Sequence, residues 1–153
     1  MIALLAAIVL TYGYAGWRWF TAPSDVAPVY AAARAVEGNL NLRRTTAQLS
    51  ASVQRLITEI ASARDDDPSE GESEALDNYE EAIEMLNDSL KLSAAKAEQG
   101  PSLDAHDEIL APLHDKYFLP LDDTGNIGAD QSLQIIWQKA KESLHAGNAF
   151  YSR

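Results

Sequence analysis

The stretch LDNYEEAIEMLNDSL at residues 76–90 decides the fold class. Within it Leu76, Tyr79, Ile83, Leu86 and Leu90 recur at steps of three, four, three and four, so all five fall on one stripe of an α-helix. Asp77, Glu80, Glu81 and Glu84 occupy the rest of the surface, and the alternation that a half-buried strand would need is missing. Just before it, DDDPSEGESE at residues 65–74 combines repeated acids with Pro68 and Gly71, which reads as the turn of a hairpin. On the far side of that turn Leu42, Leu49, Val53, Leu56, Ile60 and Ala63 form a second apolar stripe, on a helix expected over about 40–64. The two stripes should face each other, antiparallel. Burying one Leu or Ile contributes roughly 1.5 to 3 kcal/mol against lost chain entropy, so this hairpin needs further helices to be stable.

Working outward, the chain supplies them. A short helix is expected over about 27–37, interrupted by Gly38 and Asn39, which read either as a break or as a weak point in a longer helix. Another is expected over about 103–117, with Leu103, Ile109, Leu110 and Leu113 apolar and Pro112 bending it. Residues 118–121 read as an extended apolar segment and 122–128 as turns. Asp130 can cap a last helix, about 131–146, whose inward face is Leu133, Ile136, Trp137, Ala140 and Leu144, with Gly147 at its end. There is no internal repeat and no run that suggests a strand.

Residues 1–22 carry a different pattern. From Met1 to Trp17 no side chain is charged, and Ile2, Leu4, Leu5, Ile8, Val9 and Leu10 alternate with alanines, which gives a helix apolar on every side. Tyr12, Tyr14, Trp17, Trp19 and Phe20, with Arg18 among them, match a membrane-interface belt in which the guanidinium snorkels outward. A cleaved secretory signal is the competing reading, but bulky aromatics occupy the stretch where a small-x-small cleavage site would fall. The expected fold is therefore all-α: a single N-terminal transmembrane helix over 1–22, an antiparallel bundle of three to four helices over 23–148, and an aromatic tail over 149–153. Arg18, Arg34, Arg43 and Arg44 follow the anchor and lean the bundle to the cytoplasmic side, while Asp25 and Glu37 offset that lean and leave the side open.

Charge and composition exclude several functions. With 153 residues, 23 acidic against 12 basic and a net charge of −11, the chain suits one acidic domain plus an anchor, and it is repelled by phosphate backbones. Nucleic acid is thus not an expected partner. Cysteine is absent, which removes disulfides, thiolate metal sites and a thioacylated anchor. Neither acidic turn keeps the register of a calcium loop: counted from Asp65, the glycine falls one place late and Leu76 stands at the closing position, and in 122–128 Ile127 occupies the glycine position. His106, His114 and His145 form no HExxH or Glu-x-x-His pair and read as surface or interface residues. Trp137, Tyr79, Tyr117 and Phe118 read as core aromatics in preference to a pigment or quinone pocket, and no phosphate loop or nucleophile motif occurs. No cofactor and no metal is expected.

The expected function is a non-catalytic accessory subunit of a multi-subunit membrane complex, respiratory or photosynthetic for instance, with other subunits and the lipid bilayer as partners. Phe150 and Tyr151 in the tail are candidate partner contacts, because apolar rings at a terminus usually find a surface. The alternative is a membrane-tethered helical domain that senses or binds a solute.

Overall fold

The computed structural model describes residues 27–42, 45–99, 104–121, 123 and 125–152, with backbone alone at 99 and 104–107. Five helices run through them: α1 Ala27–Asn41, α2 Thr46–Asp65, α3 Glu70–Gln99, α4 Asp104–Tyr117 and α5 Ala129–Tyr151. Local chemistry sets where they begin. The Thr45 hydroxyl accepts the Gln48 N–H at 3.4 Å and caps α2. At α3 the Glu72 carboxylate accepts both the Ser69 N–H at 2.9 Å and the Ser69 hydroxyl at 2.6 Å, so the carboxylate of the third helical residue reaches back to the cap. Glu70 and Glu72 then sit in the first turn, beside the positive end of the helix dipole. The expected hairpin turn shrinks accordingly to a few residues around Asp67, whose φ of 54° lies in the left-handed region.

Contacts between side chains fix the directions. Arg64 near the end of α2 pairs with Asp77 and Glu80 near the start of α3, so these two run antiparallel. Tyr79 near the start of α3 bonds Asn148 near the end of α5, whereas Lys96 near the end of α3 pairs with Asp130 at the start of α5. Tyr30 of α1 meets Tyr151, and Glu37 meets Asn148, so α1 is antiparallel to α5. Asn39 of α1 donates to Ser52 of α2. Each of α1, α2, α3 and α5 thus touches two of the others, closing an antiparallel ring of four, and the most extensive contact is α3 with α5. α4 lies outside the ring against α3 and, less extensively, α5. The only pairing outside helices among the described residues is an isolated bridge between Leu121 and Ile127.

Both stripes read from sequence are buried. Leu49, Val53, Leu56, Ile60 and Ala63 of α2 face Leu76, Tyr79, Ile83 and Leu86 of α3, and Ile136, Ala140 and Leu144 of α5 complete the core. Val29, Ala33, Val36 and Leu40 bring α1 into it, while Leu110, Leu113 and Tyr117 attach α4.

Several expectations need correction. Among the described residues the fold is all-α, with five helices where a bundle of three to four is expected, because the short segments α1 and α4 each bury residues of their own. Of the two readings of Gly38 and Asn39, the break does not occur: both lie inside α1, which runs to Asn41, with Leu42 N–H bonded to the Gly38 carbonyl, and the Thr45 cap opens α2. Leu42 therefore drops off the seam and is 64 % exposed. Phe118 was counted with the core aromatics and is 85 % exposed. Gly147 does not end the last helix, which continues to Tyr151, so residues 149–151 of the expected tail are its final turn. No described helix is long and apolar enough to cross a membrane. The anchor expected over 1–22 lies outside the described residues, as do Tyr12, Tyr14, Trp17, Arg18, Trp19 and Phe20.

Gly147 is needed for a close approach. A Cβ there would stand 2.6 Å from Cε1 of Tyr79, whose ring is fully buried and has nowhere to retreat. In an exposed helix glycine to alanine is stabilising by about 1 kcal/mol. Here Gly147→Ala is expected to destabilise by about 2 kcal/mol, as overpacked cores do; denaturant unfolding of the two proteins checks the sign.

Candidate binding surface

Two polar clusters are built into the contacts of α3. The first links α1, α3 and α5. The buried Tyr79 hydroxyl donates to Asn148 Oδ1 at 2.9 Å, and the Asn148 amide donates to Glu37 Oε2 at 3.3 Å. Glu37 also accepts from Arg34 at 3.0 Å, and His145 Nε2 lies 3.4 Å from its other oxygen. Only 8 % of Glu37 is exposed, yet its charge is met by donors on two helices, which is how a buried carboxylate is tolerated. Around the phenol, the Tyr151 ring stacks on Tyr79 at 5.9 Å with planes 4° apart, and Tyr30 tilts against Tyr151 at 6.4 Å. Tyr79, Asn148 and Glu37 are buried and committed to one another, while Arg34 and His145 close the cluster from the solvent side.

The second cluster borders solvent. Asp88 of α3, itself buried, accepts the Tyr117 hydroxyl at 2.8 Å, and the ammonium groups of Lys91 and Lys116 lie 3.3 and 3.5 Å from its oxygens. Lys116 also pairs with Glu84, and Lys139 of α5 donates to the Tyr117 carbonyl at 2.8 Å. Both lysines approach the Tyr117 ring, at 5.0 and 5.9 Å from its centroid. Burial lowers the Lys116 pKa, but its hydrogen bonds to Glu84 and Tyr117 more than offset this and hold the ammonium above the ordinary lysine range. In front of the cluster is an open cleft of about 550 Å³ between α3 and α5, with Glu81, Met85, Glu142 and Ser143 on its walls and Phe118 at its end.

The groups in this cleft can hold a partner's polar and charged side chains, and their hydrogen bonds fix them in place. Phe118 is the most exposed large apolar side chain among the described residues, and its φ of 52° is a left-handed conformation that costs a non-glycine residue about 1 kcal/mol or more. The two tail candidates separate: Phe150 is 39 % exposed, whereas Tyr151 is half-buried with its hydroxyl enclosed. Of the histidines, His114 lies 3.1 Å from Asp115, His145 joins Glu37, and the His106 side chain is outside the described residues. Among the described residues no three His, Asp or Glu side chains converge as a metal site would. Trp137 is half-buried on α5, its indole N–H enclosed without a hydrogen-bond partner.

The residues that sequence reading passed over are Glu37, Asp88 and Asn148. Glu37 and Asn148 border the buried stripes of their own helices, and a polar residue there was the available signal; Asp88 lies off the Leu76–Leu90 stripe, on the side of α3 that meets Tyr117, and nothing in the stripe pointed to it. Comparison with known proteins gives no matching family model, no matching curated protein and no matching solved structure.

Burial raises the phenols of Tyr117 and Tyr151 to about 12, helped by the neighbouring charges of Asp88 and Glu72 respectively, and raises Tyr79 further still. A phenol raised above its unfolded value near 10 adds stability that is whole below about pH 10 and is lost as pH climbs through 12. Melting temperature is therefore expected to hold up to about pH 10 and then fall, with part of the tyrosinate absorbance appearing only as helicity is lost. Full tyrosine ionisation near pH 10 with helicity intact would contradict the burial of these rings.

Proposed function

We propose that this chain is a non-catalytic accessory subunit of a multi-subunit membrane complex, anchored through 1–22 and using its helical bundle to clamp partner subunits. The observation that carries the reading is Phe118. It occupies the first position beyond the end of α4, where glycine is the usual occupant because the backbone turns left-handed. The chain places a phenylalanine there, flanked by the buried Tyr117 and Leu119, so the ring projects outward from a firmly held backbone. Exposed ring and strained backbone both cost free energy within the bundle, and a partner's apolar surface is what would return it. Leu121, three residues on, is also exposed, at 54 %.

The alternative, a membrane-tethered sensor, draws on a mainly apolar cleft of about 350 Å³ between α2 and α3, bordered by Ile57, Ile60, Ala61 and Ile83. It would show as a ligand-dependent rise in melting temperature.

The clamp reading makes a paired expectation. Phe118→Gly relieves the left-handed strain and is expected to stabilise the chain by about 1 kcal/mol. The same variant should retain partner subunits less well after mild-detergent extraction and native mass measurement. A wild-type chain that emerges from that extraction alone would remove the reading.

A further inference from the structure

The cleft at Lys116 and Tyr117 does not end at Ser143. Asn78 and Ala146 line it and also line a second cleft of about 380 Å³, which continues along α3 and α5 to Gly71, Ala75, Ala149 and Phe150. The two make one groove over the outer seam of α3 and α5. From Gly71 to Met85 it follows α3 for roughly 20 Å at about 1.5 Å per residue, the length of a helix of about four turns.

We propose that this groove docks a basic amphipathic helix of a partner subunit, an inference that rests on the accessory-subunit reading and supplies its contact chemistry. Shape gives the first reason. The floor is made of small residues, Ala75, Ala146 and Ala149, over which a helix can approach closely, and aromatic rings stand at both ends, Phe150 at one and Phe118 at the other. Gly71 keeps the Phe150 end in place, since a Cβ there would meet the ring at 2.9 Å. Continuity gives the second. α4 already packs against α3 and α5, so this chain itself shows that a helix seats on that pair, and the groove is the part of the seam that α4 leaves open.

Charge identifies the occupant. Glu74, Glu81, Glu84 and Glu142 line the groove against Lys116 and Lys139. Lys116 is already matched by Glu84 and Asp88, and Lys139 is bonded to the Tyr117 carbonyl. Glu74, Glu81 and Glu142 have no ion-pair partner among the described residues; Glu142 only accepts a hydrogen bond from Gln138 at 3.1 Å. An acidic rim around an apolar floor selects a helix with one apolar face flanked by lysine or arginine and repels an acidic one.

The test uses the full chain in zwitterionic lipid nanodiscs. The probe is a leucine–lysine amphipathic peptide of about 14 residues, long enough for four turns, with its leucine–glutamate counterpart as control. The lysine peptide should bind and the glutamate peptide should not. Ala146→Trp, which fills the exposed middle of the groove, and Glu81→Lys should each weaken binding about tenfold or more, whereas Glu98→Lys near the far end of α3 should not. Equal weakening by all three would reduce the effect to general charge and overturn the proposal, as would indifference to Ala146→Trp. A photo-crosslinker at Ala149 should then mark a lysine- or arginine-rich segment of a co-purifying subunit. Crosslinks to residues 1–26 of this chain or to a second copy would instead name another occupant and overturn it. If wild type and Ala146→Trp retain partners alike and the peptide ignores the groove, this inference falls and the subunit reading stands; if the wild type purifies alone, the subunit reading itself falls.

Discussion

The bundle hangs on the way Tyr79 is clasped between α3 and α5. Its ring lies against the bare backbone of Gly147, its hydroxyl donates to Asn148, and Tyr151 stacks on its face. The absence of a Cβ at Gly147 lets the two helices approach this closely, and that approach both buries the phenol and brings it the Asn148 acceptor. Asn148 then passes the link on to Glu37 and so to α1. One aromatic side chain thereby sets the spacing of the most extensive helix pair and the seat of a third helix.

Electrostatics does a different job. Arg64 ties α2 to α3 through Asp77 and Glu80, and Lys96 ties the far end of α3 to Asp130, but such exposed pairs contribute about 0 to 1 kcal/mol each. Cohesion comes from the apolar stripes, and the surplus of acidic groups is left outward. Where that surplus meets an apolar floor and two protruding phenylalanines, along the outer seam of α3 and α5, the surface has a chemistry of its own, distinct from that of an evenly charged solvated face.

Much of the architecture was legible because helical period and burial are the same information. Leu76, Tyr79, Ile83 and Leu86 could only form one stripe, and they do. Boundaries were less legible because they depend on single hydrogen bonds: the Gly38 carbonyl still holds the end of α1, the Thr45 hydroxyl opens α2, and the Ser69 and Glu72 pair drew an acidic run into the first turn of α3. Gly147 misled for a physical reason. Glycine at a helix end and glycine at a helix crossing are the same residue in sequence, and only the ring of Tyr79 tells them apart.

Of the candidate binding surface, the sequence showed Phe150 and Phe118 as aromatic residues and the acids as a count. It determined the helix class, the two stripes and the sign of the charge, since these follow from composition and periodicity along one chain. Tertiary structure alone decided that Phe118 faces solvent and Tyr117 does not, and that Glu74 and Glu81 share a groove with Ala146 and Ala149 from a helix some seventy residues away. The reason is geometric: which face of a helix is outermost depends on what packs against the other faces, and that is settled only when distant segments meet.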